Sequence, residues 1–224
     1  MQEQRAVVEN WKEGHCLGVT AAGDVNIPFT FDGRRWKAGK QVEVTAEQKV
    51  SAYYPYNVQY TDMTAIPVDI TTQEDYMYGE GGVSVEKPSA VLVMKHALSL
   101  VRILIKKNDY TGDGRVDAVT FGGVRLSASM DVTSGKLLPT GQPGEYKAGG
   151  NYTLDDASPV YVEAILMPVG TAEGITVNVH VDGRDFTYAL PPTHVWNPGM
   201  IYTYTLNMKS GYNCEVDVDH VPMD

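Results

Sequence analysis

Apolar positions along this chain recur mainly with a period of two, in short runs broken by Gly, Pro, Asn and Asp. That is the pattern of strands and turns. The longest apolar run is Val91–Lys107 (VLVMKHALSLVRILIKK). Val91, Val93, Val101, Ile103 and Ile105 are β-branched, and a turn cluster follows from Lys107 to Gly114, so the run predicts a long strand. One face carries Val91, Val93, Ala97, Val101, Ile103 and Ile105, and the other Leu92, Met94, Leu98, Leu100 and Leu104. Both faces are apolar, which predicts cover on both sides. At about 3.3 Å per residue the strand would rise roughly 50 Å, more than one small sandwich needs. It should bend at Ala97–Ser99 or carry the chain from one domain into the next. A bilayer span of about 20 apolar residues is excluded by length and by Lys95, His96 and Arg102.

Before this run, strands are predicted at Arg5–Val8, His15–Thr20, Pro28–Phe31, Arg34–Trp36, Gln41–Thr45, Val50–Tyr56 and Ala65–Ile70. Asp32-Gly33 is a hairpin signal. Pro55 puts one strand end on an edge or at a bulge. Thr72–Tyr78 predicts a short helical turn capped by Thr71 or Thr72. Gly79–Pro88 is Gly-rich and polar and predicts a linker, dividing the chain into domains 1–86 and 87–224. After the long run, Gly122-Gly123 predicts a hairpin between Val116–Phe121 and Val124–Ser129, and Thr133–Tyr146 looks like loop. Tyr152–Leu154, Val160–Met167, Met200–Met208 and Tyr212–Val218 predict further strands. The strongest hairpin joins Ile175–Val181 to Asp185–Leu190 through Asp182-Gly183. The expected fold is all-β, as two tandem β-sandwich domains.

Composition supports this: among 224 residues are 14 Tyr, 22 Gly and 12 Pro. The formal charge of −10 argues against a nucleic-acid partner, which is met by a basic face. The two cysteines, Cys16 and Cys214, lie near opposite ends without zinc-ligand spacing. A disulfide between them is open in an exported protein, and two separate thiols in apolar strands are favoured. No apolar segment follows the polar start Met1–Arg5, so no signal peptide is read there.

The most suggestive chemical motif is Asp109–Asp117 (DYTGDGRVD). Asp109, Thr111, Asp113 and Asp117, with the Arg115 carbonyl and the turn at Gly114, match the first nine positions of a calcium loop. The twelfth position is Thr120, which lacks the bidentate carboxylate, so a polar hairpin loop is the stronger alternative. No cofactor is otherwise expected. The histidines at 15, 96, 180, 194 and 220 are scattered, and no nucleophile elbow or phosphate loop occurs, so no enzyme is expected. Tyr53, Tyr54, Tyr56 and Tyr60, and Tyr202 with Tyr204, suit sugar stacking or cross-strand packing, and packing is favoured. Terminal strands of a sandwich can be exchanged between copies.

Several stretches together resemble the fimbrillin family, including its major-fimbrillin-like branch, of Bacteroidetes surface proteins and type V pili. They are Trp11–Val19 (WKEGHCLGV), Ile27–Trp36 (IPFTFDGRRW), Ala52–Tyr56 (AYYPY), Gln73–Tyr78 (QEDYMY), Lys95–Ile105 (KHALSLVRILI) and Trp196–Leu206 (WNPGMIYTYTL). They cover most of the chain in order. His15 departs from a usual Asp, and Met94 and Lys95 stand near a position that is often Phe. The lipidated Cys, the apolar first strand and the usual C-terminal Trp look absent. The resemblance implies transthyretin-like sandwiches on the outer surface, in a fimbrium, from an exported lipoprotein precursor cleaved after Arg. Any membrane attachment would run through a lipid anchor that this chain lacks. Partners would be other pilus subunits, with host protein or glycan as the alternative. Arg5 is then the candidate cleavage point. Ala6, Val8, Leu17 and Val19 mark the candidate groove for strand exchange, and Tyr212, Val216 and Val218 the candidate donor.

Overall fold

A computed structural model describes residues 8–155, 157–209 and 215–223. They form an all-β structure with one short 3-10 turn. The first sheet has the order β3-β2-β1-β4-β6-β7. Its strands are β1 (Cys16–Ala21), β2 (Asp24–Phe31), β3 (Trp36–Ala38), β4 (Gln48–Tyr54), β6 (Met77–Val83) and β7 (Val93–His96). A small sheet, in the order β11-β10-β5, joins β5 (Ile66–Asp69), β10 (Ser127–Met130) and β11 (Leu137–Thr140). A third has the order β12-β9-β15-β16, with β13 (Tyr152–Thr153) also on β9. These are β9 (Arg115–Val124), β12 (Gly144–Gly149), β15 (Thr176–Val181) and β16 (Arg184–Ala189). The fourth has the order β14-β8-β17-β18, from β8 (Ser99–Asp109), β14 (Val160–Leu166), β17 (Met200–Lys209) and β18 (Glu215–Pro222).

The long apolar run divides between two sheets. β7 pairs with β6 in the first sheet, and β8 pairs with β14 and β17 in the fourth. The break at Ala97 and Leu98 lies where a bend was expected, and both residues are buried. Their backbones are used at once: the Ala97 amide donates to Tyr76, and the Leu98 carbonyl accepts from Gly199. Cover on both faces holds for β8, but Val91 and Val93 are 83% and 65% exposed. An edge strand has neighbours on one side only, so its outward face can stay wet.

Glycine-rich stretches account for most other departures. Gly79–Val83 is not linker but part of β6. A Cβ at Gly79 would lie 2.6 Å from the Val93 oxygen, and one at Gly81 2.7 Å from the Val91 oxygen, so these glycines let the next segment approach closely. Gly122-Gly123 is not a hairpin: β9 runs through it, with Gly123 at φ 73°, while β10 lies in another sheet. Thr133–Tyr146 is not all loop, since it supplies β11 and the start of β12. Gln41–Thr45 is not a strand. The helical turn falls earlier than expected, at Ile70–Thr72, capped by Asp69, whose carboxylate accepts from Thr71. The predicted hairpin at Asp182-Gly183 is present as β15–β16, with Val177, Val179 and Val181 buried. The first sheet extends past the predicted 86/87 boundary to β7, and β5, from before it, pairs with β10.

The apolar residues collect into two cores. The larger runs from Tyr53 through the strands of the second, third and fourth sheets to Met208. The smaller lies on one face of the first sheet: Leu17, Val19, Ala21, Val50, Ala52 and Val83. Gln73 ties the edge strand β14 to the 3-10 turn. Its side-chain amide accepts from the Ile165 N–H at 2.8 Å and donates to the Ile165 carbonyl at 3.0 Å, as a paired strand would. Edges left open recruit other chains, and this one is partly closed by a side chain.

Candidate functional site

β1 alternates around a central glycine. Leu17, Val19 and Ala21 face the smaller core, while Gly18 faces the other way. A Cβ on Gly18 would lie 2.1 Å from the Tyr53 ring, so only glycine lets Tyr53 lie flat against the strand. The Tyr53 hydroxyl donates to Asn26 at 2.7 Å, and Asn26 donates to the Asn57 and Tyr60 carbonyls. Burial pushes the Tyr53 hydroxyl pKa up to about 12. One face of the sheet is thereby fixed to the larger core.

The opposite face carries an apolar cavity of about 360 Å³. Leu17, Val19, Val50 and Val83 form its floor, and Trp11, Phe29 and Trp36 line it further. No strand covers it among the described residues. Two coil segments do so, one bringing in Val42 and Val44 and the other Pro88, Ser89, Ala90 and Leu92. Trp11 meets Trp36 edge to face at 5.2 Å and Tyr54 at 5.6 Å, with His15 beside both Trp11 and Tyr54. Burial, with the Lys12 charge, lowers the His15 pKa, which favours the neutral ring in this apolar setting.

The structure brings Leu17 and Val19 together on this floor. Val8 is half-buried and lies elsewhere: its N–H donates to the Asp75 carboxylate at 2.8 Å, and His96 Nδ1 meets the same oxygen at 2.9 Å. Arg5, Ala6, Tyr212 and Cys214 lie outside the described residues. Val216 and Val218 sit on β18, opposite Leu206 and Tyr204 of β17 in the same molecule. Val218 is 41% exposed. Cys16 is half-buried, with its thiol sulfur accepting from Thr30.

Asp109 ends β8, Thr111 and Asp113 are exposed in the following loop, and Asp117 lies within β9. The amides of Gly114 and Arg115 point to the protein's own Asp182 carboxylate, at 2.9 and 2.8 Å, and the Tyr110 hydroxyl joins them at 2.8 Å. Burial pushes the Asp182 carboxyl up, but these three donors outweigh it and hold it below the ordinary value. Among the described residues no group of three or more His, Cys, Asp or Glu is placed to hold a metal ion. No helix among them is long and apolar enough to cross a membrane. Among the tyrosines that suit sugar stacking, Tyr53, Tyr202 and Tyr204 are core residues, as are Tyr76 and Tyr110 elsewhere in the chain. Tyr204 accepts from the Trp196 indole at 2.9 Å.

The cavity residues Trp11, Phe29, Trp36, Val50 and Val83 did not stand out in the sequence. The alternation of Val42 and Val44 was the visible signal, but it belongs to a covering coil rather than a strand. Asp75 and His96 pair across a sequence separation that no local pattern reveals.

Sheets with apolar faces packed in layers and an apolar cavity beneath two coil straps define an all-β, β-sandwich class of protein. The fimbrillin-like family model matches residues 5–219, and the chain belongs to that family. Two solved structures share the fold. One, from Bacteroides uniformis and provisionally assigned to cell adhesion, is 21% identical with a TM-score of 0.79, over 96% of this chain and 93% of its own. The other, from Bacteroides ovatus and assigned likewise, is 18% identical with a TM-score of 0.74, over 97% and 90%. No curated protein sequence matches the chain.

Proposed function

We propose that the chain is a non-enzymatic subunit, stalk or tip, of a cell-surface fimbrium, built as two tandem sandwiches. It assembles by strand exchange after proteolytic removal of a first strand. The observation that carries this reading is the apolar floor of Leu17, Val19, Val50 and Val83, covered by coil rather than by a strand. Burying such a floor under a neighbour's strand stabilises the pair by about 25 cal/mol per Å² of apolar surface. Membership of the fimbrillin-like family supports the same reading. Partners are then other pilus subunits, on the outer surface. Val216 and Val218 of β18 alternate with acidic residues, the pattern of a donor that buries one face. Arg5 is the proposed cleavage point, and Ala6 and Val8 begin the segment behind it.

The test is to trim the chain, carrying its natural upstream sequence, with an Arg-specific protease and look for filaments by electron microscopy. Filaments are expected, and Leu17→Arg should block them. A trimmed protein that stays monomeric where relatives assemble would end the proposal. A second reading, a surface module that binds glycan or host protein, is favoured by the half-exposed cluster of Trp11, His15, Trp36 and Tyr54. Glycan-array binding lost in Tyr54→Ala and Tyr56→Ala would select it.

A further inference from the structure

We propose that residues 41–47 are a placeholder, a strap of the chain's own that occupies the acceptor face until a donor strand displaces it; this rests on the strand-exchange reading above. In the single chain, Val42 and Val44 are half-buried against the smaller core, while Gln41, Glu43 and Thr45 are exposed. That is the alternation of a strand with one buried side. Residues 41–47 nevertheless make no backbone–backbone hydrogen bond among the described residues. The side-chain bond seen there, from Gln41 to Glu43, stays inside the strap. A segment held by apolar contacts alone opens at low cost. The donor carries the same pattern. Val–acid–Val occurs twice in the chain, as Val42-Glu43-Val44 and as Val216-Asp217-Val218. Strap and donor each offer two valines to an apolar floor and keep a carboxylate in water.

The topology lets this strap leave. β3 and β4 are separated by β2 and β1 in the first sheet, so residues 39–47 cross the floor between them. The ladders set Ala38 level with Leu17 and Tyr54, while Gln48 begins β4 six residues before Tyr54. The crossing is therefore diagonal, about 25 Å at about 4.8 Å per strand and about 3.3 Å per residue. The ten Cα steps from Ala38 to Gln48 reach at most about 34 Å. The difference lets the strap lift by roughly 10 Å, the spacing of two packed layers, while β3 and β4 stay paired. The other strap lacks this freedom. It runs directly into β7, and a Cβ at Gly81 would lie 2.7 Å from its Val91 oxygen, so it is packed against β6. An open apolar face invites unselective association. The placeholder keeps this one covered in the lone subunit and gives it up to a strand of matching pattern.

The test uses a fluorescein-labelled peptide of residues 215–222, the sequence of β18, whose binding to the whole chain is followed by anisotropy. Val42→Ser combined with Val44→Ser loosens the strap without touching the floor. This variant should bind the peptide about tenfold or more tightly than the parent, because two half-buried valines no longer compete for the face. Leu17→Arg, on the floor, should abolish binding in parent and variant alike. Circular dichroism checks each fold, and Val44→Ser alone, with a smaller gain, replaces the double variant if that does not fold. A folded strap variant that binds no more tightly than a binding parent overturns the placeholder and leaves strand exchange standing. Peptide bound by neither protein, or binding that survives Leu17→Arg, overturns both.

Discussion

Replacing Gln73 by alanine removes the clasp on the outer edge of β14. The side-chain amide makes two hydrogen bonds to Ile165, at 2.8 and 3.0 Å, and a third to the Ile70 carbonyl at 2.7 Å. Each is worth about 1 kcal/mol net, and leaving the amide of a buried strand residue unpaired costs a further 1–3 kcal/mol or so. Ile165 is 2% exposed, so water does not readily replace the clasp. The expected loss for Gln73→Ala is therefore roughly 4–6 kcal/mol, or a fall in Tm of roughly 10–20 °C for a chain of this size. Gln73 also holds a left-handed backbone, with φ 54°. Alanine keeps that strain and glycine removes it, so Gln73→Gly should be about 1 kcal/mol more stable than Gln73→Ala. Urea and thermal unfolding followed by circular dichroism measure both. A loss below about 1 kcal/mol for Gln73→Ala, or a glycine variant less stable than the alanine one, would refute the argument. The alanine variant should also self-associate more readily, because the edge offers unpaired backbone groups.

Three further outcomes follow from the same geometry. Tyr53, Tyr76 and Tyr204 are raised by burial from 10.0 to about 12. A raised folded-state value means that the folded protein holds these protons more tightly. Their contribution is complete below pH 10 and is lost as pH rises through 12, at about 1.4 kcal/mol per pH unit for each tyrosine. The share of tyrosinate absorbance that belongs to these three should therefore appear together with unfolding, and their ionisation in the folded protein would contradict this. Gly18→Ala should cost about 2–3 kcal/mol, because the new Cβ would lie 2.1 Å from Tyr53 and 2.6 Å from Asn26 Oδ1. A melt within a degree or so of the parent would show that the Tyr53 ring moves freely. Because Thr120 stands where the loop needs a bidentate carboxylate and Asp117 lies within β9, EDTA should leave the Tm unchanged, and Asp113→Asn should match the parent. A fall in Tm with EDTA would restore calcium to the loop.

The sequence by itself determined the strand content, the alternation of Val177, Val179 and Val181, and the turn at Asp182-Gly183, because these depend on period-two patterning and local backbone preference. It also carried the fimbrillin-like resemblance and placed Leu17 and Val19 on one face of β1. Tertiary structure decided the rest. An apolar run has the same local pattern whether it stays in one sheet or crosses between two, so the division of Val91–Lys107 at Ala97 and Leu98 was set by partners distant in sequence. A glycine pair has the same local freedom in a hairpin or inside a strand, and only the close approach of Gly174 and Thr176 to Gly122-Gly123 shows that β9 passes through. The cavity has the same origin. Trp11, Phe29, Trp36, Val50 and Val83 come from five separate stretches, and each pattern says only that a residue is apolar. Which apolar surface lacks a covering strand is a property of how the sheets are layered.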